Sequence, residues 1–583
     1  MEDRRNVIIA VLLIGIILFG WPYITGQFFP NNEAASADVA QAGEAAPPAN
    51  PEVVVPNSVV SQRSLQTALA DGGRIQVDTP KLDGSISLTG ARIDDMMLKN
   101  YRMGVDDDTP EVRLLSPAGT ADAYFARFGW LGEGIELPGD KTVWQASSQR
   151  LTPGNPVTLS WRNGTGQTFQ MLLAIDEDYL ITVDQRVMNG GGAPIAIRPY
   201  GLISRRGVSE DKSTWTIHVG PMGVFDGSAD YGWNYDDVEE AGPDGAKFAT
   251  TGGWLGFTDK YWLTALVPDQ KTPIDAAFRA SGDVFQNEML QKTPTVLQPG
   301  RQFTQRSHFF VGAKETEVLD HYRSDLGFEK FDLAIDWGWF RPIEKAFLYV
   351  LTWLFDLVGN FGVAIICLTL IVRGLMFPIA QKQFKSMAQM KAIQPKMKKL
   401  QEIHKDDKTK QQQELMKLYK EEKVNPLAGC LPMFLQIPVF FALYKLLMLS
   451  IEMRHQPFAL WIQDLSAPDP LTPVNLFGLI PFDPPGFLAI GVLPIILGVT
   501  MFFQFRLQPM TDPIQKQLFS IMPWVMMFIM APFAAGLQLY WVASNLFTIA
   551  QQKLLYARHP ELKEAMKRDA EAKMREREAK TKA

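Results

Sequence analysis

Cysteine is nearly absent: Cys367 and Cys430 are the only two in 583 residues, and both lie in or beside apolar runs. Neither a disulfide framework nor a cysteine-based metal site can be built in the polar part of the chain, and redox chemistry has no footing. The six histidines, His218, His308, His321, His404, His455 and His559, show no paired spacing for a metal ion. No glycine-rich loop followed by lysine is present to cradle a phosphate. Nothing supports an ATPase or a hydrolase, and no cofactor is expected. Charge is modest, at 21% of residues with a net of -6, which argues against a nucleic-acid-binding protein. Leu427-Ala428-Gly429-Cys430 spells a lipoprotein box, yet it is internal and follows no signal segment.

Apolar residues, by contrast, make up 46% of the chain and crowd into its first thirty positions and into the stretch from about Phe347 to Tyr556. Val7 to Ile24 is an uncharged apolar run of 18 residues following Arg4 and Arg5. That is about the minimum that crosses a bilayer core of roughly 30 Å, and it exceeds a usual signal-peptide core, so residues 1–30 read as an uncleaved transmembrane anchor. Residues 31–56, rich in Ala, Pro and Glu without an apolar face, read as a tether. From 57 to 325 short alternating runs, such as Val157 to Trp161, Phe169 to Ile175, Tyr179 to Val187 and Phe303 to Val311, are separated by Gly, Asn and Pro punctuation. This spacing predicts an antiparallel all-β sandwich with few helices. Trp215, Trp233 and Trp254 are candidates either for a sugar- or peptide-binding surface or for core and rim packing.

Residues 331–350 place Trp337, Trp339, Phe340, Ile343 and Phe347 among interspersed charges, the pattern of an interfacial amphipathic helix. Five further apolar runs come after it, at 351–378, 427–450, 487–505, 518–533 and 536–556. The expected fold is therefore a polytopic α-helical membrane protein of six spans, with a five-helix core bundle and a large extracytoplasmic sandwich. Regional charge orients it. Residues 55–330 hold 26 Lys and Arg against 36 Asp and Glu, whereas 378–428 hold 12 Lys against 6 acids and the chain from Lys553 onward holds 10 basic against 6 acidic residues. Basic excess marks the cytoplasmic side, so the 379–426 segment, the 506–517 connection and the 557–583 tail lie inside. The sandwich and the 451–486 loop lie outside.

Arg373 is the only charged residue deep in its span. It lies about five residues, on the order of 7 Å of helix rise, from the inner end, so it can snorkel to the headgroups or face inward. The spans beginning at Leu427, Phe487, Leu518 and Gly536 contain no Asp or Glu, so an inward-facing Arg373 has no intramembrane carboxylate and needs water. Gln436, Gln504, Gln538, Ser544 and Asn545 offer polar lining or helix-helix hydrogen bonds. Pro432, Pro438, Pro494, Pro523 and Pro532 make the bundle irregular. Met522, Met526, Met527 and Met530 suit either a surface that accepts many apolar partners or a packed core. In the basic segment Met387, Met390, Ile393, Met397 and Leu400 recur at three to four residues, His404 to Lys408 breaks the pattern, and Leu415, Leu418 and Tyr419 resume it. That is a lysine-flanked helical hairpin, despite the kink expected at Pro395. Its lysines can meet anionic lipid or the RNA of a ribosome.

The runs Leu370-Ile371-Val372-Arg373-Gly374-Leu375-Met376-Phe377-Pro378, Asn425-Pro426-Leu427-Ala428-Gly429-Cys430-Leu431-Pro432, Pro457-Phe458-Ala459-Leu460-Trp461-Ile462 and Ser544-Asn545-Leu546 resemble those of the YidC/Oxa/Alb membrane protein insertases. The likeness is tight over about 331–558 and looser over the sandwich, and it fits the family's long Gram-negative type. The resemblance implies an inner-membrane insertase and chaperone, not an enzyme, with a hydrophilic groove open to cytoplasm and lipid but closed outward. It implies a sugar-mutarotase-like periplasmic sandwich largely dispensable for insertion. Arg373, Gln436, Ser544 and Asn545 would line the groove, and Thr369, Trp541, Met522, Met526 and Met530 would touch the incoming helix. Many relatives of this type have tyrosine where Trp541 stands, so the aromatic contact is kept and the hydroxyl lost. Lys396, Lys398, Lys399, Lys405 and Lys408 would meet the ribosome or the signal recognition machinery. Further partners would be nascent membrane proteins, the Sec translocon and anionic lipids. Two rival classes remain at this point: a secondary transporter, which predicts paired repeats and a solute site, and a membrane-tethered carbohydrate-binding protein or enzyme acting through the sandwich.

Overall fold

The structure, a computed structural model, describes residues 63–106, 108–211, 213, 217–404, 407–422, 431–480, 482, 489–507 and 513–558. The expected anchor at 1–30, the tether at 31–56, most of the basic tail, Trp215 and Lys405 lie outside the described residues, as do the side chains of Lys398 and Lys408. The chain divides into a β unit, which runs to Trp337, and a helical unit built mainly from Gly338–Met448 and the chain from Glu452 onward.

Among the described residues of the β unit, twenty strands between Arg74 and Ala313 form an eleven-stranded and a nine-stranded sheet. Three short helices accompany them, α1 (Leu65–Ala70), α2 (Tyr235–Ala241) and α3 (Thr316–Ser324). The first sheet centres on Ile195–Arg206, flanked by Tyr124–Gly132 and Val284–Gln291. The second centres on Gln302–Ala313, between Leu180–Asn189 and Trp262–Pro268. The strand Gln167–Ile175 buries every second residue, placing Phe169, Met171 and Leu173 in the core, as a period of two on a half-buried sheet requires. Trp254 is fully buried with its ring 5.2 Å from that of Phe331, so it is a packing residue, whereas Trp233 is half-buried and lies edge-on to Phe248.

His308 shows what burial does to a titratable group in this unit. Its ring lies 5.0 Å from Phe328, and its Nδ1 is 3.1 Å from Thr182 Oγ1. Burial first, then the nearby Arg306 guanidinium, push its imidazole down to about 4, against smaller opposing effects of Asp184 and Asp269. An unfolded histidine takes its proton near 6.5, so stability is full above that pH and is lost as pH falls from 6.5 through 4. The expected loss for residues 63–337 is on the order of 2–3 kcal/mol across that window. Denaturant titrations of the isolated unit at several pH values should show it, and His308→Gln should flatten the slope.

The helical unit comprises α4 (Arg341–Val358), α5 (Phe361–Ile403), α6 (Lys408–Glu421), α7 (Leu431–Leu449), α8 (Val492–Leu507), α9 (Pro513–Met530) and α10 (Ala535–Arg558). The first of these helices therefore runs past the expected boundary at 350, and the next begins at Phe361. The reason is local. Gly359 ends α4 in the left-handed region, at φ 69°, and Asn360 caps α5 by accepting from the Val363 backbone at 3.0 Å. Phe355 stacks on Phe361 with ring centroids 3.9 Å apart across this break. By length and composition, residues Phe361–Gln383 are long and apolar enough to cross a membrane, and Leu435–Leu449, Val492–Leu507 and Gln517–Met530 are shorter apolar helices.

Beyond Gln383 α5 continues through Pro395 to Ile403, and α6 folds back on it. Ile393, Met397 and Leu418 form the buried seam, with Met390, Leu400, Leu415 and Tyr419 around it. Asp407 caps α6 by accepting from Lys410 N at 3.0 Å, and Lys396 Nζ meets Glu422 Oε1 at 2.5 Å across the hairpin. The exposed ion pair adds little on its own, so the apolar seam is what holds the two helices together.

Candidate functional site

The helical unit gathers its polar side chains around α10. Helix α10 packs against both α5 and α8, and its residues Tyr540, Ser544 and Asn545 are buried. Arg373 of α5 turns toward it. Its guanidinium donates from Nε to Ser544 Oγ at 3.1 Å and from a terminal nitrogen to the same oxygen. The hydroxyl is neutral, and among the described residues no carboxylate pairs with Arg373. The arginine is half-buried, so its charge is positioned without being cancelled. A cation in hydrocarbon without a counterion costs about 2.5–3.5 kcal/mol or more, and such a group is tolerated where water reaches it.

Helix α7 closes on the same stretch of α10 through two contacts one helical turn apart. Gln436 Nε2 donates to Tyr540 Oη at 2.6 Å, and the Phe440 ring lies edge-on to Trp541 at 5.1 Å. Sequence reasoning missed Tyr540. It supplies a phenolic hydroxyl one position before Trp541, the residue that carries none, and no local signal links it to Gln436 across 104 residues of chain. Asn545 faces another neighbour: its Nδ2 donates to Thr500 Oγ1 of α8 at 3.2 Å. Arg373 and Ser544 thus form one contact, Gln436 joins them through Tyr540, and Asn545 serves the α8–α10 contact. Gln538 is buried and donates to the carbonyls of Met530 and Phe533 at 2.9 and 2.8 Å, closing the turn between α9 and α10.

The remaining candidates are spread along the helices. Thr369 lies one turn before Arg373, fully buried, with its hydroxyl donating to Ile365 O at 2.7 Å. Trp541, Met522 and Met526 are half-buried, while Met530 is buried at the end of α9. Lys396 and Lys399 are exposed on the hairpin, away from the α5–α10 contact in sequence. Large apolar side chains stand exposed on the outer faces, including Leu370, Ile371 and Leu375 of α5 and Ile521, Val525 and Phe528 of α9. Helices apolar on their outer faces and polar at one inner seam are the inverse of a water-soluble bundle.

Among the described residues no group of three or more His, Cys, Asp or Glu is placed to hold a metal. A cavity between the sheets, lined by Gln185, Tyr200, Thr272, Met289, Gln291 and Gln305, offers about 20 Å³. That is room for roughly one water molecule and not for a sugar ring.

Comparison with known proteins extends these observations to the whole chain. The family described as 60Kd inner membrane protein matches residues 353–563, and that described as YidC periplasmic domain matches residues 74–350. A membrane protein insertase YidC from Zymomonas mobilis subsp. mobilis is 46% identical over 96% of this chain and 96% of its own. Among solved structures, a crystal structure of an active YidC insertase is similar at 19% identity, covering 83% of this chain and 95% of that one, with a TM-score of 0.32. A galactose mutarotase related enzyme from Lactobacillus acidophilus is similar at 9% identity over 41% of this chain and 97% of its own, with a TM-score of 0.28. With both parts of the chain matched in order and nearly half of its residues identical to a full-length relative, the chain belongs to the YidC family of inner-membrane proteins with a periplasmic domain.

Proposed function

We propose that this protein inserts other proteins into the bacterial inner membrane and assists their folding, without covalent catalysis. The observation that carries the reading is the seam at Arg373: a cation held by a hydroxyl, beside buried polar groups of α7 and α10, in helices whose outer faces are apolar. A nascent hairpin enters from the cytoplasm, its short polar segment rests near Arg373, and its apolar segment slides along α7 and α9 into lipid. A polar seam partway across the membrane shortens the hydrocarbon path, which lowers the cost of moving each charge. Both termini lie in the cytoplasm, with the β unit in the periplasm and six spans in all. The hairpin and tail meet the ribosome and targeting machinery or anionic headgroups, and the Sec translocon shares longer substrates.

Photo-crosslinking tests this. Ribosome-bound nascent chains carrying a photoreactive residue in the apolar segment should form adducts with peptides containing Phe440 and Trp541. Adducts confined to the β unit, or none with this protein, would contradict the reading.

A further inference from the structure

The connection between α7 and α8 carries an apolar projection that the insertion site does not use. Residues 470–482 contain no ionisable side chain. Within them Val474, Leu476, Phe477, Ile480 and Phe482 are exposed, and Leu479 is 82% exposed. Soluble protein surfaces scatter such residues singly and do not mass them on one loop tip.

This tip is built, with its shape fixed from inside. Leu476 and Phe477 both adopt left-handed backbone, at φ 50° and 61°, a conformation that costs residues with a Cβ and is common only for glycine. Asn475 holds the turn together: its Oδ1 accepts from Gly478 N at 3.0 Å and from the Thr472 hydroxyl at 2.7 Å, and its carbonyl accepts from Ile480 N at 3.1 Å. Phe477 N donates to Thr472 O at 2.9 Å. The backbone N–H groups of Leu476 to Ile480 and of Phe482 all find acceptors within the loop, so its side chains are what it presents.

The base of the projection is fixed to the start of α8. Buried Asp469 accepts from Trp461 Nε1 at 2.9 Å and from Leu471 N at 3.0 Å through one oxygen, and from Leu493 N at 2.6 Å through the other. A carboxylate at a helix N-terminus is favoured by the helix dipole, which strengthens the anchorage. Val492 N donates back to Leu471 O at 3.0 Å. The tip is thereby held at the start of α8, which itself exposes Ile496, Val499 and Phe503, three and four residues apart.

We infer that residues 474–480 together with Phe482 insert into the extracytoplasmic leaflet and contact lipid acyl chains, acting as a wedge and depth anchor beside α8. Attachment to the start of α8, a helix with exposed apolar side chains of its own, selects lipid over a protein partner, and so does the lack of any ionisable side chain within residues 470–482 to form the polar rim that protein interfaces carry. The inference rests on the proposed function only for the side of the membrane.

Benzoylphenylalanine placed at Leu479 in the full chain, reconstituted in vesicles of phosphatidylethanolamine and phosphatidylglycerol, tests it. Phospholipid adducts should form at a yield comparable to the same probe at Phe503 and at least roughly fivefold above the probe at exposed Lys247 of the β unit. Protein adducts at Leu479, or a yield no higher than at Lys247, would overturn it. The probe at Phe477 repeats the test should the first variant fold poorly. Lipid adducts in a protein that inserts no substrate would leave the wedge standing and count against the proposed function. Insertion without lipid adducts would count against the wedge alone. Adducts with lipid labelled only in the cytoplasmic leaflet would count against the stated side.

Discussion

Arg373→Ala is expected to lower insertion of substrates with acidic translocated segments by roughly ten- to a hundredfold, while substrates with neutral segments change little. The guanidinium is fixed by Ser544 and faces no carboxylate among the described residues, so its charge is available to a passing anion. A carboxylate crossing hydrocarbon costs about 2.5–3.5 kcal/mol on insertion scales, and a transient partner that returns about half to most of that accounts for the expected factor. Arg373→Lys keeps the charge and gives up the two-pronged hold on the Ser544 hydroxyl, so it should retain most activity. Protease protection of a substrate series differing only in the number of acidic residues separates these cases. Equal insertion by wild type and the alanine variant across the acidic members would remove Arg373 from the mechanism.

The largest effect on stability is expected in the β unit, from the addition of a single methyl group. A Cβ on Gly256 would stand 1.8 Å from Thr264 O and 2.8 Å from Ala265 Cα. Both are backbone atoms of the neighbouring strand, in which Ala265 pairs with Gly256. Gly256 lies in a fully buried strand, Trp254–Thr258, so neither side can withdraw without breaking the pairing. Overpacking of flexible side chains costs about 1–3 kcal/mol, and a clash with rigid backbone should reach or exceed the upper end. At about 2–4 °C per kcal/mol for a unit of this size, Gly256→Ala should lower the Tm of residues 63–337 by about 10 °C. Gly139→Ala, where nothing lies within 4 Å of the added carbon, serves as the neutral control. If the sandwich is largely dispensable, as the family resemblance implies, the full chain carrying Gly256→Ala should still insert substrates.

How legible these features are in the sequence depends on the range of the interactions. Strands such as Gln167–Ile175 can be read because alternation is local and each side chain's fate is set by parity. The hairpin seam at Ile393, Met397 and Leu418 is equally plain, since a helical period survives an intervening turn. Pro395 suggests a break that the long helix does not take. The boundary between α4 and α5 lies concealed in continuous apolar sequence, although Gly359-Asn360 is a stop-start signal by residue type. Arg373 stands out by the absence of acids around it. Its partner Ser544 is one of several polar residues in the spans, but the pairing itself spans 171 residues and has no local trace. The same holds for Tyr540 with Gln436 and for Asn545 with Thr500. Trp254 and Trp233 show the converse limit: residue type alone does not separate a buried indole from a binding surface.

The central claim is that this chain alone lowers the barrier to membrane entry. Its most direct test is reconstitution of the purified full-length protein into liposomes, scoring protease protection of a small, newly synthesised protein with one or two spans. Protection well above protein-free liposomes, falling for acidic substrates when Arg373 is replaced by alanine, is the predicted result. Protection by the wild-type protein no greater than that of empty liposomes would contradict it.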